Sequence, residues 1–142
     1  MRTLFAAAAA AGMLLLASPV VSLAQGARGG GYGRSYNPQT VWTVSGEVLA
    51  IDKVADGRRG GYGVHVLLKT VKGDLPVHLG PSWFLERQAM KIAVHDVIEV
   101  TGSPVIYAGK PALLAAEVRK GSESMRLRTA DGLPLWRRAA TR

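Results

Sequence analysis

The sequence predicts an all-β domain with one short helix, in which five strands form a small Greek-key barrel and a hairpin-like segment follows at the C-terminus. Three observations support this prediction. Short segments of alternating polarity recur along the chain, glycine and proline separate them, and a single stretch rich in helix formers follows the third segment. With 142 residues, the chain is long enough for one folded domain.

Residues 1–24 are predicted to be a secretory signal peptide. Arg2 gives a positive start, residues 4–17 are an apolar run, and Ser22 and Ala24 are the small residues before a cleavage site. The alternative is an uncleaved membrane anchor, but a run of about 14 residues is shorter than the roughly 20 that cross a bilayer. We therefore expect a periplasmic or secreted bacterial protein that is not inserted in a membrane after cleavage. Because the chain has no cysteine, it has neither disulfides nor a thiol for a lipid anchor.

After the leader, residues 25–40 are glycine-rich and are predicted to be flexible, because they contain few side chains that could be buried. The first strand is expected from Val41 to Asp52, with Gly46 marking a bulge or bend. A glycine-rich loop, residues 56–61, leads to a second strand over residues 62–71. A turn at Lys72-Gly73 then gives a third strand over residues 75–79.

The remaining elements complete the predicted barrel. A helix is expected over residues 82–90, with Ser82 as its capping residue. Strands follow over residues 94–102, with a continuation at 105–107, and over residues 112–118. Residues 125–136 give a short strand, an Asp-Gly turn and a return limited by proline, and residues 137–142 are a basic tail. Three strands, a helix and two strands, in this order, are the arrangement of an OB-fold, so we expect an OB-fold domain with a C-terminal extension over residues 41–136.

Three segments, residues 77–84, 96–103 and 127–136, resemble a group of small exported bacterial proteins. Those proteins are predicted OB-folds and often carry only the label of OB-fold or DNA-binding protein. The resemblance spans about residues 41–136 and implies the fold, but it implies no activity and no catalytic residue. The chain departs from the group at His95, where the similar proteins usually carry glycine at a turn.

A ligand-binding site is predicted around the loop between the first two strands. Arg58, Arg59 and Tyr62 combine guanidinium groups, an aromatic ring and flexible glycines, which suits an anionic polymer such as single-stranded nucleic acid. We add Trp42 and Lys69 as candidate ligand contacts. The formal net charge of +8 also favours an anionic polymer or an acidic protein as partner. The alternative is a solvated loop whose charges serve only solubility.

The three histidines, His65, His78 and His95, are candidate metal ligands. If Lys72-Gly73 forms the turn, His78 lies opposite Leu67 and diagonal to His65, so both imidazoles share one sheet face. Two ligands are too few for a closed site, and the spacing does not require His95, Glu86 or Met90 to complete it. The alternative is two half-exposed histidines without metal, and Met90 and Met125 are expected to be core residues.

We expect a non-catalytic binding module and no cofactor, because the sequence contains neither a nucleophile motif nor a paired acid and base. The first hypothesis is binding of nucleic acid or an envelope polyanion through the basic loop. A second is a periplasmic metal-handling or stress-related accessory protein that uses His65 and His78. A third is a structural protein-interaction module. The tryptophans are expected to pack, with Trp83 and Phe84 beneath the open end of the barrel and Trp136 holding the tail.

Overall fold

The computed structural model describes residues 35–55 and 61–139 of the chain. The predicted signal peptide, Arg58, Arg59 and residues 140–142 lie outside the described residues. Six strands and two single-turn helices are present, after a 3-10 turn at Pro38–Thr40: β1 (Trp42–Ala55), β2 (Tyr62–Thr70), β3 (Gly73–Pro81), α1 (Ser82–Leu85), β4 (Val97–Tyr107), β5 (Lys110–Lys120), β6 (Glu123–Arg126) and α2 (Trp136–Ala139). Over these residues, no helix has the length and apolar character needed to cross a lipid bilayer.

The strands form one sheet in the order β3-β2-β1-β4-β5-β6, in which neighbouring strands are antiparallel. A parallel pairing of β3 with β5 closes the first five strands into a ring, and this seam consists of two residue pairs, Val77 with Leu113 and His78 with Leu114. The predicted all-β, OB-fold-like barrel with a C-terminal extension is thus confirmed, although its ring is unevenly closed.

Strand β1 joins the two halves of the barrel. Its first half, from Trp42 to Glu47, pairs with β4, and its second half, from Glu47 to Ala55, pairs with β2. At Gly46 the backbone of β2 comes so close that a Cβ atom would lie 2.2 Å from the carbonyl oxygen of Lys69. The predicted bulge is not at this glycine, which pairs regularly with Ile98; the register shift of β1 lies further along the strand, between Val48 and Ala50.

The core lies inside the barrel, because alternate residues of each strand point inward. Its fully buried members come from all five barrel strands and from the segment after β6, and the largest are Leu68, Ile98, Leu113 and Leu127. A smaller apolar cluster of Val105, Ala112 and Leu114 packs with Tyr36 and Tyr107. Since Leu113 and Leu114 belong to different clusters, β5 is covered on both of its faces.

Several predicted boundaries differ from the observed ones. The predicted helix over residues 82–90 is limited to Ser82–Leu85, and its capping residue is Pro81, whose ring makes no capping hydrogen bond, so the expected role of Ser82 is not found. Strand β4 continues without a break through Pro104, which pairs with Leu113 although proline donates no hydrogen bond. A register shift at Thr101 and Gly102 precedes this proline.

Residues 36–40, which end the segment predicted to be flexible, pack against the barrel. The backbone amide of Asn37 donates a hydrogen bond of 2.9 Å to the buried Ser103 hydroxyl. Arg128 lies between the rings of Tyr36 and Trp136, with its Cζ atom 5.5 Å and 5.2 Å from their centroids. The predicted C-terminal return is present as a bridge between Arg128 and Pro134. The packed domain therefore begins before Val41.

Candidate functional site

The register of the strands brings the loop after β1 and the start of α1 to the same end of the barrel. Ala55 pairs with Tyr62 on either side of this loop, and Gly63 pairs with Pro81, the last residue of β3. Helix α1 begins at the next residue, Ser82. We call this end of the barrel, defined by Ala55, Tyr62 and Ser82, the α1 end.

A cavity of about 270 Å³ lies at the α1 end, between the inner faces of β1 and β2 and the segment that follows β3. Its wall is mainly aliphatic and thioether side chains: Ile51, Val64, Val66, Leu79, Leu85, Met90, Ile92 and Met125. Met90 and Met125 are buried, as predicted for core residues, and both also face this cavity. The interior of the cavity is thus suited to a nonpolar group.

The polar part of the wall has a net positive charge. It consists of Lys53, Lys91, Glu86 and the hydroxyl of Ser82. Lys91 lies just after α1, and its Nζ donates a hydrogen bond of 2.5 Å to the carbonyl oxygen of Glu86. Two lysines and one glutamate therefore belong to the wall of an otherwise apolar cavity.

A second group of charges fixes the segment that carries Lys91. Lys120 donates from Nζ to the carbonyl oxygen of Lys91 and, over 3.2 Å, to Oδ2 of Asp96. The amide of Ala93 donates to the same carboxylate over 2.8 Å. The hydrogen bonds from Ala93 and Lys120 lower the pKa of Asp96, and the one from Ala93 has the larger effect. The ionised carboxylate thus ties residues 91–96 to β5.

The structure brings only some of the predicted ligand contacts to the α1 end. Tyr62 lies there and is 49% exposed, whereas Arg58 and Arg59 lie outside the described residues. Trp42, 40% exposed, lies at the opposite end of β1, where it pairs with Gly102. Lys69 lies near the far end of β2, opposite Glu47. Trp42 and Lys69 are therefore separated from Tyr62 by most of the length of a strand.

The two histidines of the predicted metal site are in direct contact. His65 and His78 are register partners on β2 and β3, and their rings stack with centroids 3.7 Å apart and planes 3° apart. Tyr107 meets the ring of His78 edge-on, with centroids 4.5 Å apart. His78 is only 4% exposed, so the expectation of two half-exposed histidines is wrong for this residue.

The predicted pairing of His78 with Leu67 is also wrong, because the hairpin turns earlier than expected. Thr70 pairs with Gly73, and the two loop residues are therefore Val71 and Lys72. The hydroxyl of Thr70 donates to the carbonyl oxygen of Gly73 over 2.7 Å and accepts from the amide of Lys72 over 3.2 Å. These hydrogen bonds favour the earlier turn, which moves His78 by two residues and keeps it on the face predicted for it.

Burial makes both imidazoles weaker bases. It lowers the pKa of His78 to about 4, and the neighbouring His65 lowers it further in the same direction. Burial also lowers the pKa of His65, against a smaller opposing effect of Asp52, its register partner on β1. Both rings are therefore neutral at pH 7, the state in which imidazole can bind a metal.

The described residues contain no cluster of three histidine, aspartate or glutamate side chains placed to hold a metal ion. His95 contacts Glu47 instead, with 3.0 Å between its Nδ1 and Oε1 of the carboxylate. Glu86 and Met90 line the cavity. The three residues considered as further ligands therefore do not form a larger site with the histidine pair.

Sequence reasoning missed the cavity at the α1 end. The alternating pattern correctly assigns the side chains of Val64 and Val66 to the interior, but it does not show whether the interior is filled. The predicted aromatic packing is found nearby. Trp83 meets Phe84 with centroids 6.0 Å apart, and Phe84 lies 5.8 Å from Trp136. The one signal for the cavity in the sequence is the pair Met90 and Met125, because methionine often fills irregular space.

The architecture defines the chain as a small OB-fold-like β-barrel domain with a cavity at one end of the barrel. The chain belongs to the MamS/MamX magnetosome protein family, whose model matches residues 40–125. This match includes residues 77–84 and 96–103, two of the segments that carry the resemblance described above, and it ends before residues 127–136. A search of curated proteins finds no match to the chain.

Proposed function

We propose that this protein is an exported, non-catalytic binding module that holds an anionic ligand at the α1 end of its barrel. One observation carries the proposal: a cavity with Lys53 and Lys91 on its wall lies at the same barrel end as Ala55 and Tyr62, the described residues that flank Arg58 and Arg59 in the sequence. In OB-folds, the loop between the first two strands is one of the usual ligand-binding loops. The family description supports an association with the magnetosome, which we extend to this chain as part of the proposal.

The chemistry of the cavity wall favours binding over catalysis. The polar side chains on it are two amines, one carboxylate and one hydroxyl, and no histidine is among them. An activated hydroxyl needs an adjacent base within hydrogen-bond reach. Amines at the rim of an apolar space are instead suited to attract and hold an anion.

Cations outside the cavity wall add to the positive charge at this end. Arg87 follows α1 and places its Cζ atom 5.2 Å from the ring centroid of Trp83. Arg58 and Arg59 belong to the adjoining loop. A ligand with several negative charges can therefore contact more than one cation at the α1 end.

Fluorescence anisotropy with a labelled polyanion tests the proposal. We expect saturable binding of polyphosphate, heparin or single-stranded DNA that weakens as salt increases, because bound cations displace counterions. The double variants Lys53→Ala/Lys91→Ala and Arg58→Ala/Arg59→Ala should each bind several-fold more weakly. Lys72→Ala is the control, because Lys72 lies in the β2–β3 turn at the opposite end of β2. Equal binding by all four proteins would refute the proposal.

The histidine pair favours a second candidate function, the handling of a divalent transition metal. Two neutral imidazoles on neighbouring strands are nitrogen donors of the kind that Cu²⁺ and Zn²⁺ accept. To share one ion, the parallel rings must tilt toward each other. Water would complete the coordination, because the described residues provide no third ligand next to the pair.

Titration calorimetry with zinc, copper and nickel tests this second candidate. We expect heat that His65→Ala removes and that His95→Ala leaves unchanged, since His95 lies apart from the pair. His65 is the residue to change first, because it is half-buried whereas His78 is buried and its replacement can unfold the protein. Absence of heat, or the same heat from His65→Ala, would eliminate the candidate.

A further inference from the structure

We infer that the cavity at the α1 end takes the aliphatic part of an amphipathic anion, a molecule with a short alkyl chain and a phosphate, sulfate or carboxylate headgroup. This inference rests on the proposed function, because it specifies the ligand class of the same site. The alkyl chain would lie against the aliphatic wall, and the headgroup would lie at the rim beside Lys53 and Lys91.

The composition of the wall supports an alkyl chain over a nucleic-acid base. Bases are held mainly by stacking on aromatic rings, and none of the residues that line the cavity is aromatic. Trp83, next to the lining residue Ser82, is partly buried and already has the Arg87 guanidinium over its ring. Aliphatic side chains such as Ile51 and Leu85 instead match a flexible hydrocarbon.

The position of the cations supports a ligand with a charged end. Lys53 comes from the second half of β1, and Lys91 comes from the segment after α1, so the two amines approach the cavity from different elements. Lys91 is held by the Glu86 carbonyl oxygen, and the segment is fixed to β5 through Lys120. A headgroup at the rim would therefore meet, at Lys91, a charge whose position is largely set before binding.

The size of the cavity limits the chain length. A volume of about 270 Å³ lies near the lower end of the range of small-molecule sites. Each methylene that enters such an apolar space should strengthen binding about fourfold. We expect this gain to continue while the chain lengthens inside the cavity and to stop once the cavity is full.

The test is a calorimetric series of alkyl phosphates from hexyl to dodecyl, each below its micellar concentration, with inorganic phosphate and octyl glucoside as reference ligands. We expect the alkyl phosphates to bind with affinity that rises about fourfold per methylene and then levels off. Inorganic phosphate should bind far more weakly. Lys53→Ala/Lys91→Ala should weaken octyl phosphate several-fold and leave octyl glucoside unchanged.

Cavity-filling variants identify the site. Ile51→Trp and Ile92→Trp replace half-buried wall residues and should each weaken octyl phosphate at least tenfold. Ile106→Trp is the matched control, because Ile106 is 54% exposed on β4 and does not line the cavity. Circular dichroism shows which variants fold, and two filling variants at different elements keep the test decisive.

Two results would overturn the inference, and they differ in what they imply. The apolar subsite is refuted if the affinity for alkyl phosphates does not depend on the length of the alkyl chain. It is also refuted if both cavity-filling variants bind octyl phosphate as tightly as the unmodified protein. If polyphosphate still binds and its binding depends on Lys53 and Lys91, the proposed function stands without the apolar subsite. If neither the alkyl phosphates nor the polyanions bind, both the inference and the proposed function are wrong.

Discussion

The imidazole rings of His65 and His78 lie face to face across neighbouring strands, with their centroids 3.7 Å apart. A stack this close is compatible with neutral rings, because two imidazolium ions at this distance would repel each other in a partly buried environment. Since His78 also pairs with Leu114 at the seam that closes the barrel, the protonation of this pair is coupled to the stability of the ring of strands.

Stability should therefore decrease as the pH falls below the ordinary histidine range. In the unfolded chain His78 takes up a proton near pH 6.5, whereas in the folded chain its pKa is about 4. Between these values the unfolded state binds more protons, so protonation favours unfolding. We expect the free energy of unfolding to fall by on the order of 2 to 3 kcal/mol between pH 7.5 and pH 4.5, measured by urea titration.

The variant His78→Phe keeps an aromatic ring against Tyr107 but cannot take up a proton there. Most of the pH dependence of the free energy of unfolding should therefore disappear. His95→Gln is the control and should retain it, because the imidazole of His95 is 82% exposed. If His78→Phe shows the same decrease as the unmodified chain, another group is responsible for the loss of stability in acid.

Replacing His95 by glycine should stabilise the protein. His95 has a φ of 76°, a left-handed conformation that glycine adopts without strain. We expect His95→Gly to raise the free energy of unfolding by about 0.5 to 1 kcal/mol in denaturant titrations.

Glu47→Gln is the comparison for this change, because it weakens the surface contact with His95 but leaves the backbone strain. It should have little effect on stability, as is usual for exposed ion pairs. A loss of stability in both variants would show that the contact with Glu47 outweighs the strain.

Two glycines on paired strands should respond very differently to substitution by alanine. At Gly46 an added Cβ would lie 2.2 Å from the Lys69 carbonyl oxygen, and the backbones would have to separate. At Gly63 the nearest atoms are 3.8 Å and 3.9 Å away, which is ordinary contact. We expect Gly46→Ala to cost more than about 2 kcal/mol and Gly63→Ala to stay within about 0.5 kcal/mol of the unmodified chain.

Thermal unfolding of the two variants side by side measures this difference. Near-equal melting temperatures would mean that β1 and β2 can move apart at Gly46 without loss of pairing.

Arg128 should contribute strongly to stability although it does not line the candidate cavity. It is buried between Tyr36 and Trp136, and its Nη1 donates to the Gly132 carbonyl oxygen over 2.9 Å. Arg128→Leu loses this hydrogen bond and both ring contacts, so we expect a loss of about 2 to 4 kcal/mol in the free energy of unfolding.

Arg126→Leu is the matched control, since Arg126 is exposed two residues earlier, and it should change stability by less than about 0.5 kcal/mol. Equal effects of the two substitutions would contradict the view that Arg128 joins the N-terminal segment to the tail.

Much of the barrel could be predicted from the sequence, because its strands are amphipathic and its turns carry glycine. The pattern of Val64, Val66 and Leu68 correctly indicates the inner face of β2, whereas the bulge of β1 lies between Val48 and Ala50 rather than at Gly46. The register of the β2–β3 hairpin could not be predicted correctly, because the choice between two adjacent turns depends on hydrogen bonds of the Thr70 hydroxyl.

The candidate site was less predictable than the fold. Tyr62 lies at the α1 end, but the position of Trp42 follows from the pairing of β1 with β4, whose partner Gly102 is sixty residues away. The cavity depends on how side chains from five segments meet, and pairwise patterns along the chain do not contain that information. The stack of His65 on His78 likewise required the exact register.

Strand β1 belongs to two pairings at once, and this has a consequence for how the molecule forms. Its second half can dock on β2 within a local hairpin, but its first half finds its partner only when β4 has been brought back across the intervening hairpin and helix. Closing so long a stretch of chain is entropically costly, and proteins dominated by such distant pairings assemble in milliseconds to seconds. We therefore expect the β1–β2–β3 meander to form early during folding, and the pairing of β1 with β4 to form later.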